Sequence, residues 1–260
     1  MHHLHIDRFA GYSSPVHSLD PRIKLVAVLV FILVTVLTPD GYFASYGLYF
    51  AAVGAVLCIS RVPIWYLMKR SLLIIPFVLA ISLFVPFITP GPVLRELALG
   101  PFHFHVTSTG LVRFFSLGLR AFVSFMAVIV LVSTTRFGDL MWAAGRLGMP
   151  SRLVIIVSFM YRYLFILIDE ASHMILARDL RSGGKKYGSL LLASGGIVGA
   201  LMVRSFDHAE KLYQAMLLRG YSGRTVLARS HRVGIRDSVS ALLFLSLIAA
   251  GFLLGRMMHG

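Results

Sequence analysis

SRLVIIVSFMYRYLFILIDEASHMILARDLR (residues 151–181) and YGSLLLASGGIVGALMVRSFDHAEKLYQAMLL (residues 187–218) are the stretches whose reading decides the fold. The first can start at Ser151, a good N-cap directly after Pro150. Gly183-Gly184 then breaks it. Met160, Leu164, Leu167, Ala171 and Met174 recur at alternating spacings of four and three, and Arg178 takes the next position in that series. The second stretch carries a similar stripe at Met202, Phe206, Ala209, Tyr213 and Met216, with Gly220 as its stop. Read as one helix it rises ~48 Å. Its Gly195 and Gly199 form a G-x-x-x-G face, the pattern that lets two helix backbones approach closely.

Both stretches are oily enough to be mistaken for membrane spans. Residues 153–168 contain Arg162 as their one charge, and residues 187–203 contain none. If both crossed, residues 169–186 would be exported with Arg178, Arg181, Lys185 and Lys186, a load that the positive-inside bias opposes. Both are therefore expected on the inner side, packed together or lying against the bilayer.

The rest of the chain supplies the membrane part. Of its 260 residues 57% are hydrophobic and 14% charged, with a mean hydropathy of +0.81, where soluble domains carry about a quarter charged residues. The net charge of +14 does not indicate nucleic acid, because the positives flank apolar segments instead of gathering on a polar surface. Cys58 is the single cysteine, so an intrachain disulfide or thiolate metal cluster is excluded. The polar lead Met1–Asp20 holds His2, His3, His5 and His17, either metal ligands or a solvated tail. It does not read as a secretory signal, since the apolar run Leu25–Leu37 ends in Thr38-Pro39-Asp40 without a small-x-small cleavage site.

Spans are expected at 23–37, 42–59, 72–88, 111–132 and 239–254. The third contains Pro76 and Pro86 and should be kinked and packed within the bundle. The link after the second carries Arg61, Lys69 and Arg70; the opposite links carry Asp40, then Arg95 with Glu96. Positive-inside places the N-terminus and the insert in the cytoplasm and the C-terminus outside. The expected fold is an all-α integral membrane protein of about five transmembrane helices plus a cytoplasmic region of long helices. Residues 1–22 form the cytoplasmic N-terminal segment and 23–133 the first four transmembrane helices. Residues 134–237 form the cytoplasmic region, and 238–260 the last transmembrane helix with an external C-terminus. Arg113 and Arg120 lie seven apart on one face. They are either intramembrane, and then functional, or interfacial if the span starts near Leu117.

The insert (136–237) carries 15 Lys/Arg and 7 Asp/Glu. Its two long helices finish in Ala177-Arg178-Asp179 and Leu218-Arg219-Gly220. Two readings stand. A cation in the last turn suits the helix dipole, by about 0.3–1 kcal/mol. A guanidinium on a preorganised helix end can instead plug an acidic groove of another protein.

Ile6-Asp7-Arg8-Phe9-Ala10 followed by Leu19-Asp20-Pro21-Arg22-Ile23-Lys24-Leu25 resembles the opening of T components of energy-coupling factor transporters, closest to the cobalt-type CbiQ branch. Leu147-Gly148-Met149-Pro150, then Tyr161-Arg162-Tyr163 with Glu170, resembles that family's first long coupling helix. Ala177-Arg178 and Ala215-Met216-Leu217-Leu218-Arg219-Gly220-Tyr221 resemble its two Ala-Arg-Gly-type motifs. The resemblance covers nearly the whole chain. It implies a non-catalytic coupling subunit in a bacterial or archaeal cytoplasmic membrane. Such a subunit joins two ABC-type ATPases, which hold ATP and Mg²⁺, to a substrate-capture membrane subunit and a small accessory membrane protein. The cargo of that branch is Co²⁺, or Ni²⁺ in close relatives, held by the capture subunit; no cofactor or metal is expected in this chain. The residues it implicates in ATPase coupling are Ala177, Arg178, Leu218, Arg219 and Gly220. Arg162, Glu170, Gly195 and Gly199 are candidate supports of the coupling helices.

Two positions depart from the motif: Asp179 replaces a glycine, and Leu218 an alanine. Asp179 takes positive φ less freely than Gly, and its carboxylate can pair with Arg178 or Arg181. Other classes find less support. No H-E-x-x-H, Walker glycine loop or close carboxylate pair within a span occurs, which argues against an integral membrane enzyme. A channel and a T component for a vitamin-type cargo remain as alternatives. His103 and His105, in the expected outer link, are either a metal path or ordinary loop residues.

Overall fold

Asp20 shows how local chemistry starts the membrane part. Its carboxylate accepts a hydrogen bond from Arg22 N at 2.9 Å, and Pro21 fills the first helical position, where a missing N–H costs nothing. This opens α2 (Pro21–Leu37), after a one-turn α1 (Pro15–Ser18) capped by Ser14. There follow α3 (Phe43–Ser60), α4 (Ile64–Leu72), α5 (Ile75–Ser82) and α6 (Val85–Ile88). Next come β1 (Val93–Leu99), β2 (Phe102–Thr107), α7 (Ser108–Thr134), α8 (Phe137–Arg146), α9 (Ser151–Ser182) and α10 (Tyr187–Leu218). This computed structural model describes residues 14–60, 63–72, 75–99, 102–182, 187–221 and, towards the C-terminus, 234, 237, 240, 244, 246 and 249–252. It divides into two compact units, one of residues 144–229 and one of 2–143 with 230–260.

The larger unit is built around Phe31, Tyr46, Tyr49, Val53, Leu57, Val123, Met126, Ala127, Ile129 and Val130, contributed by α2, α3 and α7. Phe244 packs against this cluster, its ring 5.8 Å from that of Phe31. Ser45 Oγ donates to Gly251 O at 2.9 Å, and a Cβ on Gly251 would lie 2.8 Å from Tyr49. Leu29, Leu33, Leu37, Phe50 and Phe115 face outward from the same helices, as lipid-facing positions do when the apolar solvent is outside. Buried hydroxyls return to their own helices: Thr35 donates to Phe31 O and Thr134 to Val130 O, both at 2.8 Å.

Three basic side chains act as internal ties. Lys24 is 8% exposed, and its Nζ donates to His17 O, Thr134 O and Thr135 Oγ1 at 3.2–3.3 Å. Two residues earlier, the Arg22 guanidinium lies 4.1 Å from the Trp142 ring centroid. The run Asp20–Lys24 thus ties α1, the end of α7, and α8 to the start of α2. Arg120 is the third tie. Its Nη2 donates to Thr38 O at 2.8 Å, Asp40 Oδ1 at 3.0 Å and Tyr46 OH at 3.1 Å. It pins the α2–α3 corner to α7, and Arg113 stands 3.5 Å from the same Asp40.

The proline-bearing third span is interrupted. Leu83 and Phe84 form a turn, and Pro86 sits in the first turn of α6. The carbonyl of Pro86 accepts from Thr107 Oγ1 at 3.2 Å. Gly110 makes the approach possible, since a Cβ there would lie 2.6 Å from Pro86 Cα. After α6 the chain forms an antiparallel hairpin, β1 with β2, where sequence placed a plain outer link. The alternation Phe102-His103-Phe104-His105-Val106-Thr107 is the period-2 signal that accounts for it. The class stays that of an all-α membrane protein, with this one hairpin among the described residues.

Four helices among the described residues are long and apolar enough to cross a membrane: Phe43–Ser60, Met68–Ile88, Ser108–Thr134 and Ser151–Arg181. The first three fall on expected spans. The expected span at 23–37 is α2, whose 17 residues rise ~25 Å. The expected span at 239–254 lies mostly outside the described residues, as do His2, His3 and His5. The fourth apolar helix is α9, which the loop charges lead one to expect on the inner side.

Candidate functional site

The unit of residues 144–229 holds every residue singled out for coupling. α9 begins at Ser151, as expected, with Leu153 N and Val154 N donating to Pro150 O. Val154, 2% exposed, packs where a Cβ on Gly145 would be 3.2 Å from its side chain. The helix runs one residue past the expected Arg181, so the basic residue of its last turn is Arg181, and Arg178 lies ahead of that turn. α10 covers 187–218 as expected.

The α10 end is built for one geometry. Gly220 adopts φ +79, its N–H donates to Leu217 O at 2.9 Å, and Tyr221 N donates to Met216 O at 3.0 Å. These are the two reverse bonds of a Schellman cap, with Arg219 as the C-cap residue. Leu218 is 91% exposed and Arg219 is exposed beside it. The guanidinium stem therefore leaves a backbone that is already ordered. The α9 motif differs. Arg178 Nη2 and Nε donate to Asp179 Oδ1 at 2.8 and 3.0 Å, the pairing anticipated from the Ala-Arg-Asp departure. Ala177 is exposed. Any acidic partner must compete with Asp179 for Arg178, whereas Arg219 is offered on an open helix end.

The candidate supports separate clearly. Glu170 is brought onto α10: Arg204 Nη1 donates to its Oε1, and His208 Nε2 stands 3.6 Å from Oε2. Neither partner was foreseen, because no local spacing links positions 34 and 38 residues away. The Gly183-Gly184 break implies a helical hairpin, but 170 and 204 stand at unequal distances from it, so the register is not readable from the sequence. Arg162 is exposed on α9 and takes no part in this bridge. Gly195 and Gly199 are exposed, and among the described residues a Cβ on either would meet nothing within 4 Å, so their face is open within this chain. The described residues contain no cluster of three His, Cys, Asp or Glu able to hold a metal; side-chain placement at His103 and His105 lies outside the description.

Helices long and apolar enough to span, together with a pair of long helices carrying exposed or paired arginines, define a membrane protein with a charged helical region. Comparison with known proteins gives the family. Residues 12–228 match the CbiQ family, described as cobalt transport protein. The chain is 32% identical over 270 residues to the energy-coupling factor transporter transmembrane protein EcfT of Bacillus selenitireducens, covering 98% of each. It is 27% identical over 170 residues to the cobalt transport protein CbiQ of Rhodobacter capsulatus, covering 65% of this chain and 70% of that one. An uncharacterized protein of Methanocaldococcus jannaschii is 26% identical over 250 residues, 94% of this chain and 84% of its own. The chain belongs to the CbiQ family, the T components of energy-coupling factor transporters in their cobalt-type branch, and is a multi-pass membrane protein.

Proposed function

We propose that this chain is the coupling subunit of an ATP-driven importer, carrying movement from two cytoplasmic ABC-type ATPases to a separate membrane subunit that captures Co²⁺ or Ni²⁺. In this reading Arg178 and Arg219 dock into acidic grooves, one on each ATPase. ATP and Mg²⁺ are bound by those partners, and the metal is cargo held by the capture subunit. The N-terminus and residues 134–237 are cytoplasmic and the C-terminus is external. Closure of the nucleotide-binding dimer displaces the two arginine-bearing ends, and α9 and α10 act as levers on the membrane helices. The chain itself hydrolyses nothing.

The observation that carries this reading is the α10 end: an arginine at the C-cap of a Schellman-closed helix, exposed beside Leu218. A planar guanidinium already placed loses less entropy on forming bidentate bonds than one on a loose chain. The reading predicts that Arg219→Ala abolishes co-purification of the ATPases or reduces uptake of labelled Co²⁺ at least tenfold. Arg178→Ala alone has a smaller effect, because Asp179 already engages that arginine. Full uptake with both arginines replaced would overturn it. The relatives' names divide between cobalt transport and energy-coupling factor transport without a stated cargo. Competition of Co²⁺ uptake by Ni²⁺, set against absence of metal-dependent transport, decides the cargo.

A further inference from the structure

At Glu170, α9 and α10 are tied by charge. Arg204 and His208, four residues apart on one face of α10, address its two oxygens separately: Arg204 Nη1 on Oε1, and His208 Nε2 at 3.6 Å from Oε2. The Glu170 side chain is 19% exposed, while Arg204 and His208 are about half exposed. Arg204 is charged at any working pH and is the constant partner; His208 attracts the carboxylate only when protonated.

Around this bridge the helices are not zipped together. A groove of about 480 Å³ opens beside it, lined by Ile166, Glu170, His173, Met174, Ala177, Arg204 and His208. Met160, Leu164 and Leu176 on α9, and Met202, Val203 and Phe206 on α10, are exposed, and Gly195 and Gly199 are open. Much of the apolar surface of both helices is therefore not buried by the other helix. A half-exposed ion pair contributes little to stability, so its consequence here is geometric.

We infer that the Glu170–Arg204 pair is the pivot of the two coupling helices, a positioning contact that sets where the α9 and α10 ends stand relative to one another. Along α9, Glu170 precedes Arg178 by a rise of ~12 Å, and along α10 Arg204 precedes Arg219 by ~22 Å. A change of angle about the bridge moves the Arg219 end about twice as far as the Arg178 end. The larger stroke then belongs to the arm whose arginine is the open one. The inference rests on the docking reading for its functional meaning, but the pivot can be measured without it.

The test uses the full chain in lipid nanodiscs, with Cys58→Ala and spin labels at Leu180→Cys and Leu217→Cys, both exposed positions near the helix ends. The unmodified bridge is expected to give a narrow interlabel distance distribution. Glu170→Arg and Arg204→Glu should each broaden it at least twofold, and the two together should restore it. Glu170→Gln, which keeps the side-chain volume, should broaden it as well and guards against a reversal that fails to fold. In the assembled transporter the single variants should keep ATPase binding and hydrolysis while uptake per ATP falls about fivefold or more, with recovery in the charge swap. An unchanged distribution in Glu170→Gln and both reversals, or a swap no narrower than the singles, overturns the pivot. Failure of the docking reading has another signature, full ATPase binding by Arg219→Ala with the spin-label result intact.

Discussion

Arg120 and Arg113 share one helix face and one acidic neighbour, yet magnitude separates them. Arg120 is 18% exposed and donates to a carbonyl, a carboxylate and a phenol; Arg113 is 53% exposed and makes one contact at 3.5 Å. Bonds from a charged donor contribute about 1.5–3 kcal/mol each at most, and an exposed pair about 0–1 kcal/mol. Arg120→Met should therefore lower thermal stability in detergent by several degrees, leaving Tyr46 OH and Thr38 O without this donor. Arg113→Ala should change it by a degree or less. Equal shifts in the two variants would remove Arg120 as the tie of the α2–α3 corner. Sequence named both arginines and left their placement open. The structure adds the partners of Arg120 from residues 38–46, which no spacing within α7 encodes.

At the scale of elements, glycines divide by what stands opposite them. A Cβ at Gly110 would lie 2.6 Å from Pro86 Cα and 2.9 Å from Pro86 O, both backbone atoms that cannot rotate away. At Gly47 and Gly118 it would meet nothing within 4 Å, and helix propensity favours Ala over Gly by about 1 kcal/mol. Gly110→Ala should destabilise and Gly118→Ala should be neutral or stabilising, read as melting temperatures of the purified chain; a neutral Gly110→Ala would mean the α6–α7 approach is loose. The same contrast explains how far the elements were legible. The two long helices, with their start at Ser151 and stop at Gly220, could be read because caps and stripes are local. The G-x-x-x-G face at Gly195 and Gly199 is open within this chain, and the Glu170–Arg204 pair between the helices has no local spacing that announces it. The broken third span was announced by Pro76 and Pro86, but the hairpin after it was overlooked, although His103 and His105 alternate with phenylalanines. The Schellman cap turned a residue-type match at Leu218-Arg219-Gly220 into a geometry.

For the whole molecule the membrane class and family were readable because hydropathy and charge bias are summed over many residues. Placement of α9 rests on a narrower balance. Its apolar content favours insertion: Leu153, Ile156, Met160, Leu164 and Ile168 are exposed in this chain, and the helix is long enough to span. Against this stands the charge that crossing would export, Arg178 and Arg181 with Lys185 and Lys186. On the insertion scale Leu or Ile contributes about 0.3–0.6 kcal/mol per central residue against a cost of about 2.5–3.5 for an Arg such as Arg162 buried there, while export of the flanking cations runs against the positive-inside bias. Apolar side chains of α9 can be covered by other membrane subunits or by the bilayer surface, so exposure within the isolated chain does not require a span. The inner placement is predicted to show in a Cys58→Ala chain carrying single cysteines at Pro90 or Arg181. An impermeant maleimide added to intact cells should label Pro90→Cys and not Arg181→Cys, and Arg181→Cys should react once the membrane is opened. Labelling of Arg181→Cys from outside would make α9 a span, put Arg178 on the far side from any cytoplasmic ATPase, and remove it from the docking pair.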